Sequence, residues 1–372
     1  MKAIGLMSGT SLDGIDAAVI ESDGERIFRR EGGLHLAYSP DFQERLRQVI
    51  ALHAAPDWQS AVKQQSDWLA EIEQEIADIH AELVMRLCQQ QGHGRVEVVG
   101  FHGQTVLHRP LRGTSNGVTR QIGNAERLAR LIGIPVVHDF RSHDVSCGGE
   151  GAPLVPVYHQ ALARAAELPQ PLVILNIGGV ANITAISQGE LIAFDTGPGV
   201  ALIDEWVLRH TGQGFDTDGR LAAQGQVDWA AVARFGDHVY FAKPYPKSLD
   251  RNDFGQWVTE IMGGESHPAN GAATLVAMTA AAVARSLALL PQKPQCLWVA
   301  GGGRHNLALL AELGRATGLV VRLVDDLGWD GDLLEAEAFG FLAIRHCQGL
   351  PLSFPNTTGV VEPCLGGRMV MA

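Results

Sequence analysis

The chain has 372 residues, 46% hydrophobic and 19% charged, with a formal net charge of −12. That length exceeds one typical core and predicts two domains, while the acidic balance argues against a protein that grips nucleic acid through a basic stripe. The five cysteines (Cys88, Cys147, Cys296, Cys347 and Cys364) are scattered without a CxxC pair, which argues against a disulfide framework and fits a reducing compartment. The first residues hold no apolar run of signal-peptide length, and no stretch reaches the ~18 apolar residues that a spanning helix needs. A cytoplasmic protein with no membrane partner is expected.

In chain order, the apolar runs Ile4–Leu6 and Ile15–Ile20 flank a turn of small and polar residues, which predicts a β-hairpin. A strand follows at 33–38, then a helix over 42–53. One long helix is predicted over 58 to about 91, with Trp68, Leu69, Ile72, Ile76, Ile79, Leu83 and Leu87 spaced near the helical repeat. Short strands are predicted at 96–101 and 134–137, and a helix over 154–166. The strand pattern resumes at Leu172 and at 191–194. Helices are predicted at 204–210, 272–290 and 333–346, strands at 296–300 and 320–324, and loops over 212–225 and 351–372. This alternation predicts an α/β fold with a mixed sheet in each half. The domains are expected at 1–135 and 136–372, with the C-terminal tail free to return to the first.

Several turns carry chemistry. The turn from Gly9 to Asp16 offers backbone N–H groups and hydroxyls to an anion. It is no Walker loop, since the chain has no GxxxxGK[ST] and no GxGxxG between a strand and a helix. Gly178-Gly179 and Gly301-Gly302-Gly303 each end an apolar strand, where glycine lets backbone approach a phosphate or a sugar. Asp195 leaves an apolar strand before the stiff Gly197-Pro198-Gly199 turn, a placement suited to a fixed general base or to plain turn capping. His102 and Gln104 follow a strand and can meet a sugar hydroxyl or serve the core. Arg141 suits a carboxylate. His138 and His143 lack the spacing of a helical zinc pair, and Cys147 has no base beside it, so neither a zinc site nor a thiol nucleophile is predicted. The segment Lys243–Ser248 reads as a solvated, Pro-rich loop. Glu335 and Glu337, two apart on one helix, face different sides.

Taken together, the motifs GLMSGTSLDGID (5–16), GFHGQT (100–105), QIGN (121–124), DFRSHD (139–144), GGEGAPLVP (148–156), LNIGGVANIT (175–184), FDTGPG (194–199), AGGG (300–303) and TTG (357–359) resemble the anhydro-N-acetylmuramic acid kinases. The resemblance runs nearly end to end. It implies the two-lobed actin-like ATPase (ribonuclease H-like) fold, with a central cleft. It implies hydrolytic opening of 1,6-anhydro-N-acetylmuramic acid and phosphorylation of its 6-oxygen from ATP, with Mg2+, in cell-wall recycling. Asp195 is then the base for water. Gly9, Thr10, Ser11, Leu12, Asp13, Gly14, Ile15 and Asp16 bind ATP phosphates, and Gly178, Gly179, Gly301, Gly302 and Gly303 hold phosphate and adenosine. His102, Gln104, Arg141 and Glu335 meet the sugar, and the magnesium ligands stay unassigned. The family tendency implies a homodimer. Three positions depart from the wider pattern: Val200 where many members have Asn, Glu150 where Gln is usual, and Met7 where the superfamily carries its first-strand Asp.

Overall fold

A computed structural model describes residues 1–9, 11–90, 95–109, 117–250, 253–264 and 267–372. Thr10, assigned above to the phosphate turn, lies outside the described residues. The chain divides into two compact units, Met1–Ala165 with Leu333–Ala372, and Ala166–Asp332.

Unit 1 opens with β1 (Lys2–Ser8), β2 (Gly14–Ser22) and β3 (Ile27–Ala37). Helices α1 (Pro40–Ala54), α2 (Trp58–Gln64) and α3 (Ser66–Gln90) follow. Then come β4 (Val98–Arg109), β5 (Val118–Ile122), α4 (Ala125–Ile132), β6 (Val136–His138), α5 (Ser142–Ser146) and α6 (Pro156–Ala165). Unit 2 holds β7 (Leu172–Ile177), β8 (Val180–Ser187), β9 (Glu190–Pro198), α7 (Ala201–Thr211), α8 (Trp229–Phe235), α9 (Gly255–Ile261), α10 (Pro268–Leu287), β10 (Cys296–Ala300), α11 (Leu307–Thr317) and β11 (Val320–Leu323). The chain then returns to unit 1 as α12 (Leu334–Cys347), α13 (Pro355–Thr358) and β12 (Arg368–Val370).

Each unit contains a mixed sheet, as the alternation predicts. In unit 1 the order is β12-β6-β4-β1-β2-β3, with β5 paired to β4; in unit 2 it is β11-β10-β7-β8-β9. One face of the first sheet packs Ile4, Leu6, Ile15 and Phe101 against Phe42 and Leu46 of α1, Ile72 and Ile76 of α3 and Leu128 of α4. The other face takes α12 at very short range. Gly5 and Gly100 are register partners on β1 and β4. A side-chain carbon at Gly5 would overlap the Ala336 carbonyl oxygen, and one at Gly100 the Phe339 carbonyl oxygen. These two glycines let a helix backbone rest on the sheet itself.

Several sequence expectations are corrected. The break near residue 135 falls inside unit 1, because β6 pairs in parallel with β4 and antiparallel with β12. The long helix is two: Gln65 leaves helical geometry, and Ser66 and Asp67, which favour helix starts, open α3. Of the predicted apolar stripe, Leu69, Ile72, Ile76, Leu83 and Leu87 are buried on α3 and Trp68 and Ile79 are half-buried, whereas α2 buries nothing. β4 runs on through the GFHGQT motif because β5 supplies an antiparallel partner for Gln104–Arg109. β9 likewise continues past Phe194 to Pro198, so Asp195 lies within a strand. The loop at 212–225 contains two short 3-10 turns over a buried Asp216, whose carboxylate accepts from the Leu221 and Ala222 N–H groups (2.8 and 2.9 Å). Among the described residues, no helix is long and apolar enough to cross a membrane.

Candidate active site

In unit 1 the first turn joins β1 to β2, with Ser8 paired to Ile15. Leu12 adopts φ 60° and buries its side chain in the unit 1 core, as does Ile15. Only their backbones remain for a phosphate. A non-glycine residue held at positive φ is uncommon and is enriched at ligand sites. The turn is clamped from beneath. Ser8 Oγ donates to Gln104 Oε1 (2.5 Å), Ser8 Oγ and Tyr38 OH are 2.8 Å apart, and Gln104 Nε2 donates to the Gly9 carbonyl (3.2 Å). Gln104 is fully buried, so its amide supports the turn at Gly9. Asp13 accepts from Ser11 Oγ (2.6 Å), and Asp16 pairs with His35 Nδ1 (2.8 Å). Met7 packs against Ala18, Leu333 and Ala336.

His102 and Arg141 do meet. The Gly103 carbonyl accepts from His102 Nδ1 (2.7 Å), so Nε2 is the acceptor for Arg141 Nε and Nη2 (3.2 and 3.1 Å). Burial, with the Arg141 charge adding, holds His102 well below the usual histidine range, in the neutral form. Arg141 Nη1 also donates to the Gly151 carbonyl (2.8 Å). Gly151 N–H in turn donates to Asp144 Oδ2 (2.7 Å), while Thr358 Oγ1 donates to Asp144 Oδ1 (2.6 Å) and Ser353 Oγ to the same oxygen. Asp144 is thus a buried hub that ties the 148–151 loop to the C-terminal tail. Glu150, the departure from Gln, is anchored through its N–H to the Thr358 carbonyl (2.7 Å).

Two residues beside this knot escaped the sequence reading. Thr119 Oγ1 links His108 Nδ1 (3.2 Å) to Gln121 Nε2 (2.9 Å). The outer atoms of that string, His108 Nε2 and Gln121 Oε1, are buried with no partner. A carbon built on Gly151 would lie 3.4 Å from His108 Cε1. Burial, with the Arg141 charge adding, pushes His108 down to about 4, so the ring is neutral near pH 7. Orphaned buried polar atoms cost stability, and they fit a ligand rich in hydroxyl and amide groups. The QIGN motif signalled Gln121, but nothing in the sequence paired it with His108.

In unit 2, Asp195 is held at three points. Its N–H donates to the Lys247 carbonyl (3.0 Å), its carbonyl accepts from Tyr240 OH (2.6 Å), and its Oδ2 accepts from the Leu249 N–H (2.8 Å). The register between β8 and β9 slips here: Ala181 faces Gly197, but Asn182 faces Asp195. Thr196 is therefore an extra residue, and such bulges re-aim side chains next to active sites. Thr196 Oγ1 donates to the Ala181 carbonyl (3.1 Å), which fixes the bulge. The Lys243–Ser248 segment is no solvated loop at its end. Lys247 is buried, donates Nζ to the Tyr240 carbonyl (3.2 Å) and lies 4.5 Å from the Tyr240 ring centroid. Burial pulls its ammonium down to about 8, with Lys243 adding and the Asp195 charge opposing.

The glycine turns of unit 2 interlock with this strand end. Gly199 and Val200 donate their N–H groups to the Gly179 and Gly178 carbonyls (both 2.9 Å). Val200 heads α7 without a side-chain cap. Gly301, at φ 77°, and Gly303 press on Asn176 and Ile177, where a side-chain carbon would collide. A carbon at Gly302 would meet nothing within 4 Å. Gly302 thus offers open backbone of the kind a nucleotide needs. Arg304 stiffens the turn through Asp325 (3.0 Å) and Asp332 (2.7 Å).

The chain matches the family of anhydro-N-acetylmuramic acid kinases over residues 1–372. It belongs to that family. The anhydro-N-acetylmuramic acid kinase of Acidiphilium cryptum is 52% identical, covering 100% of this chain and 98% of its own length. That of Rhodopseudomonas palustris strain BisB18 is 50% identical over 99% of each chain, and that of Rhodospirillum rubrum 47% identical over 98% and 93%. Among solved structures, a ROK family glucokinase from Streptomyces griseus, in complex with glucose and AMPPNP, matches over 92% of this chain and 99% of its own. That match has 13% identity and a TM-score of 0.41.

As a kinase of this family the chain uses ATP. Of the two acidic residues on α12, Glu337 is engaged in the core by Arg30 Nε (2.9 Å) and Tyr158 OH (2.7 Å). Glu335 is half-buried. Magnesium takes hard oxygen donors. Among the described residues, the one group of three or more His, Cys, Asp or Glu donors is His143, Cys147 and Cys364, a soft set that does not fit it.

Proposed function

We propose that this kinase opens 1,6-anhydro-N-acetylmuramic acid with water and phosphorylates the released 6-oxygen, giving N-acetylmuramic acid 6-phosphate and ADP. Asp195 takes a proton from water as water attacks the anomeric carbon. The bond from that carbon to the 6-oxygen breaks, and this oxygen attacks the γ-phosphoryl group of ATP. General-base work requires a carboxylate fixed within reach of its proton. The observation that carries the reading is the three-point clamp on Asp195 at the Thr196 bulge. Phosphoryl transfer asks mainly for positioning and charge neutralisation. The backbone of Gly9–Asp16 takes phosphate oxygens, as do Gly178 and Gly179, and Gly301–Gly303 holds the adenosine end.

The sugar is held from unit 1 by His102, Arg141 and Glu335, joined by His108 and Gln121. Gln104, first assigned to the sugar, serves as a positioning residue through its bond to the Gly9 carbonyl. The family resemblance further supports Mg2+ carried with ATP, a homodimer and a cytoplasmic setting.

The test is transfer from γ-labelled ATP, with magnesium, to 1,6-anhydro-N-acetylmuramic acid beside N-acetylmuramic acid and N-acetylglucosamine. Product from the anhydro sugar alone is expected. Product from a reducing sugar alone would make this an ordinary amino-sugar kinase. Asp195→Asn should keep ATP binding and lower kcat by at least the ~10²–10⁴-fold of general-base catalysis; near-full turnover would remove the base assignment.

A further inference from the structure

Three side chains of unit 1 that the reaction above leaves unused converge at the end of α5. His143 and Cys147 stand four residues apart, with His143 Nε2 3.8 Å from Cys147 Sγ. Cys364 arrives from the C-terminal tail. The three donor atoms all lie within 4.8 Å of one another. This meeting is imposed by the fold. Asp144, between His143 and Val145, accepts from Ser353 and Thr358, and Ser353 bridges Cys364 in antiparallel fashion. Cys364 is therefore pinned against α5 by the hub that also holds Gly151. His143 and Cys147 are exposed while Cys364 is buried, so the cluster opens to solvent on one side.

We propose that His143, Cys147 and Cys364 form a binding site for a divalent transition metal of the zinc type, with a water as fourth ligand. Two thiolates and an imidazole are a soft donor set that zinc and cobalt accept and magnesium refuses. Zn–S bonds of about 2.3 Å and Zn–N bonds of about 2.0–2.1 Å put tetrahedral donors about 3.5–3.8 Å apart. His143 and Cys147 already stand at that spacing. The rest of the closure, about 1 Å, falls within rotamer changes of the two exposed side chains. Each thiol releases its proton to solvent as its sulfur bonds the metal, and nothing is oxidised or reduced. A bound ion would fasten the tail to the segment that carries Arg141 and Glu150. The sequence hid this site because its third ligand is remote from the other two.

The full-length chain, reduced and stripped with a chelator, is titrated with Co2+ and then with Zn2+. One equivalent of Co2+ per chain is expected, with a thiolate-to-cobalt charge-transfer band that Zn2+ displaces. Cys147→Ser and His143→Gln alter exposed positions and should melt like the parent. Each should weaken binding by about 100-fold or more, beyond the ~10–100-fold cost of losing an outer-shell partner. Cys88→Ser, at an exposed cysteine elsewhere, should bind like the parent. Cobalt uptake without the thiolate band, a band that survives in Cys147→Ser, or no uptake by a chain with normal melting would each overturn the site. So would a Cys147–Cys364 disulfide that forms in place of metal binding.

Discussion

His108 and Gln121 join a hydrogen-bonded string whose two outer atoms have no partner. An orphaned buried polar atom costs about 1–3 kcal/mol of desolvation, while a made hydrogen bond contributes about 0.5–1.5 kcal/mol net. His108→Phe removes the orphaned Nε2 but also the Nδ1 bond to Thr119 Oγ1, so urea stability should shift by no more than about 1 kcal/mol, while the KM for the sugar rises with little change in the KM for ATP. Steady-state kinetics beside urea titration checks both halves. Lys247 makes a different prediction. Its folded value, about 8, lies below the ordinary 10.5. Between these values the unfolded chain holds a proton that the folded chain has lost, so stability rises with pH across that window. Below about 8 both states are charged, and the burial cost is present in full. Lys247→Met should abolish the rise between pH 8 and 10 in urea titrations.

Elements meet most closely where α12 lies on β1 and β4. Gly5 and Gly100 leave no room for a side chain beneath the helix backbone. Gly100→Ala must lift α12 or bend β4, at a cost of about 1–3 kcal/mol as for overpacked cores. The urea midpoint should fall without a change in slope. The same substitution at Gly302, which faces open space, should leave the midpoint in place. Patterns within one element were legible in the sequence: the first hairpin, the stripe on α3, the Ala-rich α10 and the strand at Cys296–Ala300. What depended on a remote partner was not. β5 is visible only through its pairing with β4, and Lys247 is a loop lysine until Asp195 and Tyr240 surround it. The candidate base was legible from FDTGPG, but the bulge that aims it was not, because the extra residue is defined by β8.

For the whole molecule, the two units differ in how the chain builds them. Unit 2 is one continuous segment with its own apolar core, including Phe235, Val283 and Leu309. Unit 1 is made of two segments, and its second brings α12, which packs on β1, β2 and β4. Residues 166–332 expressed alone should therefore fold, with a cooperative urea transition followed by circular dichroism. Residues 1–165 alone should give none, because one face of the sheet lacks its cover.

That discontinuity has a consequence during synthesis. Ribosomes add ~5–20 residues per second, and domains generally fold as they emerge. Here β1 to β6 leave the tunnel before unit 2 does, yet they belong to the unit completed after it. The face of β1 that receives α12 stays bare until Leu333 and the residues after it are made. For that interval the nascent chain presents a glycine-floored, uncovered sheet, the kind of surface that invites unwanted association.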